Sequence, residues 1–149
     1  MSDITYIRTY EGFLYVATVM YLFSRGVVGW SMDKRLMINA LLMAVYRRQP
    51  KREVLVHNDQ GSQYGRADYL TFLKENNVRP LMSRRGNCHD NAVAESFSAK
   101  IKKRIVKKKI YSARSDTKAE IFNFIEIFYN LIKRHSHTGG VSPAYFSKL

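Results

Sequence analysis

The sequence predicts an α/β protein in which a mixed sheet is flanked by helices. Apolar residues alternate with a period of two through the first third of the chain, as in strands, and then recur at helical spacing. Strand-like and helix-like segments follow the order β β β α β α β α α. Because later strands return to a sheet only through helical crossovers, we expect three antiparallel strands and then two parallel additions.

The opening third predicts an antiparallel meander. Residues 4–10 alternate around β-branched and aromatic types, and residues 11–12 (Glu-Gly) supply a turn. Residues 13–22 (FLYVATVMYL) and 27–32 (VVGWSM) continue as the second and third strands, with a Gly-containing turn between them.

The middle of the chain alternates helices with short strands. Asp33 is a candidate cap for a helix that ends before Pro50. Residues 53–57 (EVLVH) predict a strand, residues 66–75 a helix, and residues 78–82 (VRPLM) a weaker strand.

Two further helices complete the predicted fold. Asp90 and Asn91 suit a helix start, and the apolar stripe of this helix is Phe97, Ile101 and Ile105. Thr117 and Glu120 match a capping box. The apolar positions of this last helix are Ile121, Phe124, Ile125, Phe128 and Leu131. We expect Trp30 and the ten tyrosines to lie chiefly in the core.

The charge balance indicates a polyanionic partner. The 149 residues, enough for one domain, hold 25 Lys and Arg against 12 Asp and Glu, which gives a net charge of +13. Residues 100–109 (KIKKRIVKKK) hold seven of these basic side chains and no acidic one. This segment predicts a phosphate-contacting strip, and the alternative is a solvated helix face.

Membrane and disulfide-rich classes are disfavoured. The longest apolar stretch, residues 13–23, is shorter than the roughly 20 residues that a membrane-spanning helix needs. The N-terminus has no secretion-signal pattern, and the single cysteine, Cys88, cannot form an internal disulfide. We therefore expect a cytoplasmic protein without membrane partners, and we interpret Cys88 as a bystander thiol because no base is placed to activate it.

Three acids stand where strands and a helix can converge. Asp3 lies at the start of the first strand, Asp59 just after the fourth, and Glu95 on the helix after Asn91. If the first and fourth strands are parallel neighbours, the three carboxylates meet, and such a cluster requires a compensating cation. Oxygen ligands favour Mg²⁺ or Mn²⁺, and two ions about 4 Å apart can drive phosphodiester hydrolysis. Taken singly, each acid is more commonly a solvated or capping residue.

The helix that carries Glu95 has a second informative feature. Lys102 lies seven residues further on, about two turns, and therefore on nearly the same face. Between them, Ser98 and Ala99 are small enough to let a nucleic-acid backbone approach. The alternative is an ordinary amphipathic helix.

Three segments together resemble the DDE transposases of bacterial insertion sequences, relatives of the retroviral integrases. They are HNDQGSQY (57–64), RRGNCHDNAVAESF (84–97) and YNLIKRHSHTGGVSP (129–143). In that family 35 residues separate the second Asp from the Glu, and here positions 60–94 number 35 between Asp59 and Glu95.

The opening of the chain extends this resemblance. Residues 3–7 (DITYI) are similar to the motif of the family's first Asp, which assigns Asp3, and Lys102 matches a basic residue seven after the Glu. The resemblance implies a ribonuclease H-like fold, two Mg²⁺ or Mn²⁺ ions at the three acids, and DNA hydrolysis followed by strand transfer. Residues 1–149 are expected to form a single integrase core that lacks the family's N-terminal DNA-binding region.

The resemblance also implies partners. We expect the DNA ends of a mobile element, target DNA, and a homodimer or higher oligomer, acting at the bacterial nucleoid. The candidate DNA contacts are Arg84, Arg85, Asn91, Lys100, Lys102, Lys103, Arg134 and His135. Three alternatives stay open: a ribonuclease H-like nuclease that joins nothing, a non-catalytic DNA-binding remnant, and a solvated helix end at residues 133–137.

Overall fold

A computed structural model describes residues 1–32, 35–58, 67–82, 88–106 and 113–148. Three antiparallel strands open the chain: β1 (Ser2–Thr9), β2 (Gly12–Tyr21) and β3 (Gly26–Ser31), in the spatial order β1-β2-β3. In the β1–β2 register Asp3 lies opposite Thr18. The predicted meander is confirmed, with strand ends within two residues of the expected positions.

The remaining elements alternate as the hydrophobic pattern predicts. They are α1 (Leu36–Arg48), β4 (Val54–Asn58), α2 (Ala67–Glu75), β5 (Val78–Met82), α3 (Cys88–Val106), α4 (Arg114–Phe122), a π-helix (Asn123–Ile132), a 3-10 turn (Ser136–Thr138) and α5 (Pro143–Phe146). Strands β4 and β5 are parallel. The α/β class with three antiparallel and two parallel strands is confirmed.

The two groups of strands meet at β1. Within the described residues, backbone ladders form a three-stranded and a two-stranded sheet, and β1 contacts β4 across the gap between them. The Ser2 hydroxyl donates to the His57 carbonyl oxygen at 3.3 Å. This contact places the end of β4 beside the start of β1.

Helices cover both faces of the antiparallel sheet. On one face, Ile7, Leu14 and Val16 pack with the α3 and π-helix side chains Phe97 and Ile125. The opposite core cluster joins the sheet to α1, β4, α2 and β5, through Ala17, Val19, Leu41, Val56, Leu73 and Val78. Since both faces of β2 are buried along part of its length, its sequence is there apolar except for Thr18.

The start of α4 differs from the prediction. The helix begins at Arg114, three residues before Thr117, and its first turn has no side-chain cap. Thr117 is fully buried, and its hydroxyl donates to the Ala113 carbonyl oxygen at 3.2 Å. The capping box with Glu120 was therefore wrong, because this hydroxyl is turned back along the helix. The Asp33 cap lies outside the described residues.

The last predicted helix is a π-helix from Asn123 onward. Glu126 of this segment accepts hydrogen bonds from Trp30 Nε1 and from Arg47, each at 2.7 Å. Asn130 forms a pair of 2.9 Å hydrogen bonds with the backbone N–H and carbonyl of Val27. These contacts attach the helix to β3 and α1, and they leave Leu131 exposed, which corrects its assignment to the apolar face.

The expectation that the tyrosines lie in the core was wrong for most of those described. Tyr69 and Tyr129 are buried. Six are exposed, namely Tyr6, Tyr10, Tyr15, Tyr21, Tyr46 and Tyr145. Tyrosine has an apolar ring and a polar tip, so its presence in a strand does not decide which face it occupies. No helix in the described ranges is long and apolar enough to cross a membrane.

Gly29 allows α1 to pack against β3, and its replacement tests this packing. A Cβ at this position would overlap the Ala40 carbonyl oxygen and lie 3.0 Å from the Ala44 Cβ. We expect Gly29→Ala to lower the free energy of unfolding by about 3 kcal/mol, because helix backbone must shift to admit the methyl group. Urea denaturation measures this change. The control Leu42→Ala, at a half-exposed position on α1, should cost less than about 1 kcal/mol, and equal losses would contradict this packing.

Candidate active site

A hydrogen bond between α3 and β1 brings two of the predicted acids to one region. Ser98 Oγ donates to Asp3 Oδ2 at 2.7 Å, and the Asp3 side chain is half-buried. Glu95 lies three residues before Ser98 and is exposed. Residues three apart are neighbours on a helix surface, so Glu95 lies one turn from the residue that contacts Asp3.

Packing beneath this contact fixes the position of α3. Phe97, Ile101 and Ile105 are each 1% exposed and form the stripe that the sequence predicted. The Phe97 ring meets the Tyr129 ring edge-on, with centroids 4.7 Å apart. Because one face of α3 is held in the core, the face with Glu95 and Ser98 is held along the edge of β1.

The second predicted acid, Asp59, lies outside the described residues. Strand β4 ends at Asn58, and the His57 carbonyl oxygen accepts the hydrogen bond from Ser2, the neighbour of Asp3. The end of β4 is therefore held beside Asp3, as the sequence required for a shared site. The relative direction of β1 and β4 stays a prediction.

The donor set suits a hard divalent cation. Carboxylate oxygens are the ligands that Mg²⁺ prefers, and Asp3 and Glu95 belong to elements that touch. Within the described ranges no group of three His, Cys, Asp or Glu is placed to hold a metal ion, and Asp59 lies outside those ranges. Asp3 and Glu95 are therefore two candidate ligands for such an ion.

Lys102 extends from α3 towards β1. Its ammonium is 4.8 Å from the centroid of the Tyr6 ring, on β1 three residues beyond Asp3. The sequence assigned Ser98 only as a small residue that lets a nucleic-acid backbone approach. In the structure its hydroxyl also donates a hydrogen bond to the Asp3 carboxylate. Ala99 is exposed and does leave the surface open beside it. The position of Ser98, one turn after Glu95, was the sequence feature that could have predicted the hydrogen bond to Asp3.

The basic side chains of α3 lie on two sides of the helix, and Lys107, Lys108 and Lys109 of the predicted strip lie outside the described residues. Lys102 extends towards β1, whereas other side chains line a groove of about 310 Å³ between α3 and the π-helix. The groove residues are Lys100, Lys103, Arg104, Phe124, Phe128 and Lys133. The Arg104 guanidinium lies 4.8 Å from the centroid of the Phe128 ring. Since residues two apart on a helix point to different faces, this division follows from the 3.6-residue period.

His135 stands beside this groove as a neutral side chain. Its half-buried ring packs edge-on against Tyr129, at 4.9 Å between centroids, and its buried Nε2 has no hydrogen-bond partner among the described residues. Burial, and then repulsion from Lys100 and Lys133, lowers the pKa of His135 to about 4. A DNA contact by His135 would therefore use an N–H donor and not a positive charge at neutral pH.

The structure describes only one of the remaining predicted DNA contacts in full. Arg134 is exposed, two residues after the end of the π-helix. Arg84 and Arg85 lie outside the described residues, as does the side chain of Asn91.

Comparison with known families decides what this arrangement belongs to. The family model described as "Integrase core domain" matches residues 1–88, and a second model of the same description matches residues 76–143. The chain belongs to the integrase core domain family. The relatives that it matches are transposases of bacterial insertion sequences, the group that the sequence resemblance indicated.

Two relatives illustrate this membership. The integrase core is 47% identical to the transposase InsF for insertion sequence IS3A of Escherichia coli K12, over 97% of this chain and 52% of the relative. It is 39% identical to the transposase for insertion sequence element IS904 of Lactococcus lactis, over 99% of this chain and 60% of the relative. The chain spans about half the length of the curated relatives that it matches.

Solved structures show the same fold. The integrase core superimposes on the catalytic core of HTLV-2 integrase, solved in complex with magnesium in a trimeric form, with a TM-score of 0.71 over 97% of this chain and 92% of that one, at 13% identity. A chain of the simian T-cell lymphotropic virus intasome, solved in complex with the PP2A regulatory subunit B56 gamma, gives a TM-score of 0.76 over 97% of this chain and 52% of that one, at 15% identity. The ribonuclease H-like fold is thus confirmed.

The environment of His135 gives a prediction for pH. Because its folded pKa of about 4 lies below the ordinary 6.5, the unfolded chain binds more protons between these values. This residue therefore contributes a stability that is complete above about pH 6.5 and is lost as the pH falls towards 4. In an NMR titration the His135 ring should stay neutral down to about pH 5. A midpoint near 6.5 would contradict its burial among cations.

Proposed function

We propose that this integrase core hydrolyses and joins DNA phosphodiesters with two divalent ions at Asp3, Asp59 and Glu95. The observation that carries the proposal is the 2.7 Å hydrogen bond from Ser98 to Asp3, which joins the strand of the first acid to the helix of the third. Family membership supports the reaction class. The spacing of 35 residues between Asp59 and Glu95 supports the assignment of the other two ligands.

Each side chain has a distinct role in the proposed reaction. Two Mg²⁺ or Mn²⁺ ions would supply an activated water or 3′-hydroxyl and a stabilised leaving oxygen. Asp3, Asp59 and Glu95 hold these ions, and Ser98 fixes the orientation of the Asp3 carboxylate. Lys102 contacts a phosphate close to the reacting one, since it lies two turns from Glu95 on the same face.

A second group of cations would hold the DNA backbone further away. Lys100, Lys103 and Lys133 surround the groove between α3 and the π-helix, and Arg134 follows immediately. Such contacts position DNA without reading its sequence. Arg84, Arg85 and Asn91 stay predicted contacts, and His135 would donate a neutral hydrogen bond.

The proposed reaction requires more than one copy of the chain. Two element ends must be joined to one target, so we expect a homodimer or larger assembly on chromosomal DNA in the cytoplasm. The exposed Leu42 and Tyr46 of α1 border a groove of about 580 Å³ that also includes Trp30. This apolar surface supports self-association.

Metal-dependent joining tests the proposal directly. A branched DNA substrate should be rejoined in Mg²⁺ or Mn²⁺, and Asp59→Asn or Glu95→Gln should abolish the reaction because each removes one anionic ligand. The control Glu53→Gln changes an exposed acid that pairs with Arg79, and it should keep full activity. If the Asp59→Asn and Glu95→Gln variants still join DNA, the proposed metal centre is contradicted.

The same assay separates the alternatives. Cleavage of an RNA–DNA hybrid without strand transfer would indicate a ribonuclease H-like nuclease. Two results together would indicate a non-catalytic DNA-binding remnant. The first is salt-sensitive DNA binding without any reaction. The second is calorimetry that detects no magnesium binding sensitive to Asp3→Ala.

The role of Lys102 is tested by salt dependence. Loss of one phosphate contact should reduce the slope of log affinity against log salt by about one, uniformly across DNA sequences. Fluorescence anisotropy with a duplex in EDTA measures this slope for Lys102→Gln. Lys74→Gln, an exposed lysine at the end of α2, is the matched control and should leave the slope unchanged. Equal slopes for both variants would exclude Lys102 from DNA contact.

A further inference from the structure

The outer face of the β1–β2 hairpin carries three exposed aromatic rings. Tyr6 is 55% exposed, Phe13 49% and Tyr15 48%. Tyr6 and Tyr15 lie directly opposite each other in the strand register, and the Tyr6 and Phe13 rings meet edge-on with centroids 5.6 Å apart. We call these three residues the hairpin platform.

The platform is a consequence of strand alternation. The neighbours Ile7 and Leu14 are buried on the opposite face of the sheet, so the platform rings point away from that core. Further along β2, Ala17 and Val19 are buried under α1, but this helix does not cover the outer end of the hairpin. Adjacent exposed aromatic rings of this kind mark a candidate binding surface.

Two cations border the platform. The Lys102 ammonium lies 4.8 Å from the Tyr6 ring centroid, and Arg8, opposite Phe13 in the register, is exposed on the same face. Positive charge beside stacked aromatic side chains is complementary to a nucleic-acid strand, whose phosphates and base faces meet both features. The cations therefore favour DNA over a second copy of this basic chain.

Helix α3 relates the platform to the proposed metal centre. Tyr6 is three residues from Asp3 along β1, so the two side chains leave opposite faces of the strand. Ser98 contacts Asp3, and Lys102, one turn further along α3, contacts the Tyr6 ring. A DNA strand that reaches both the metal centre and the platform must therefore pass around the edge of β1.

We propose that the hairpin platform stacks unpaired bases at a frayed DNA end. This inference rests on the proposed function. Bases inside a duplex are already stacked on each other, so exposed rings gain contacts only with unpaired bases. Lys102 now lies over one face of Tyr6, and its movement to a phosphate of the bound strand opens that face to the adjoining base.

Forked DNA without metal provides the test. The probes are a duplex with three unpaired nucleotides at one end, one of them 2-aminopurine, and the same duplex with a blunt end, both in EDTA. Stacking on the platform should quench 2-aminopurine and make the forked duplex bind more tightly than the blunt one. Because no metal is present, failure of the platform is distinguishable from failure of the proposed catalysis.

The variants separate ring stacking from other effects. Tyr6→Leu should weaken forked-DNA binding about 5- to 150-fold, the range for loss of ~1–3 kcal/mol of base stacking, and should leave blunt-DNA binding unchanged. Tyr6→Phe should keep the preference because it keeps the ring. Tyr145→Leu, an exposed tyrosine on α5, is the matched control and should change neither affinity.

Three outcomes would overturn the proposal. The first is no preference for forked DNA in the unchanged protein. The second is an equal loss of forked and blunt binding in Tyr6→Leu, which would indicate a general phosphate surface or altered folding. The third is a change of oligomeric state in Tyr6→Leu by sedimentation with no change in forked-DNA binding, which would make the platform an interface between protein chains.

Discussion

The hydrogen bond from Ser98 to Asp3 is the contact on which the proposed active site depends. It joins a strand near the start of the chain to a helix almost a hundred residues later, and it is only 2.7 Å long. A hydroxyl that donates to a carboxylate favours the charged form and limits its rotation. The buried Phe97 holds the same turn of α3 in the core, so the orientation of the acid is tied to the packing of the whole domain.

Charge is organised around this contact in layers. Acidic side chains lie at the edge of β1, Lys102 borders them on one side, and the groove cations lie on another side of α3. An uncompensated cluster of carboxylates would repel DNA, whereas a cluster neutralised by metal and surrounded by lysine attracts it. The net charge of +13 is thus compatible with the proposed metal centre.

Much of this arrangement could be predicted from the sequence. The change of hydrophobic period located the strands and helices within a few residues, and the stripe of Phe97, Ile101 and Ile105 identified the buried face of α3. Periodicity reports which face of an element is apolar, and for that reason it also placed Glu95 and Lys102 together.

Features that depend on tertiary context could not be predicted. The burial of Thr117, the π-helical backbone from Asn123 and the exposure of Tyr6 are decided by neighbouring elements, to which local propensity is insensitive. The basic run was interpreted as one strip because its charge does not show which face of the helix each side chain occupies. Helical geometry places Lys102 and Lys103 in different surroundings.

Paramagnetic broadening by Mn²⁺ tests the central claim most directly. Added to the isotope-labelled chain at low stoichiometry, Mn²⁺ should broaden the amide signals of Asp3, Asp59 and Glu95 together and spare that of Glu53, because relaxation falls steeply with distance from the ion. Broadening confined to one of the three acids, or spread over unrelated exposed carboxylates, would contradict a shared pocket.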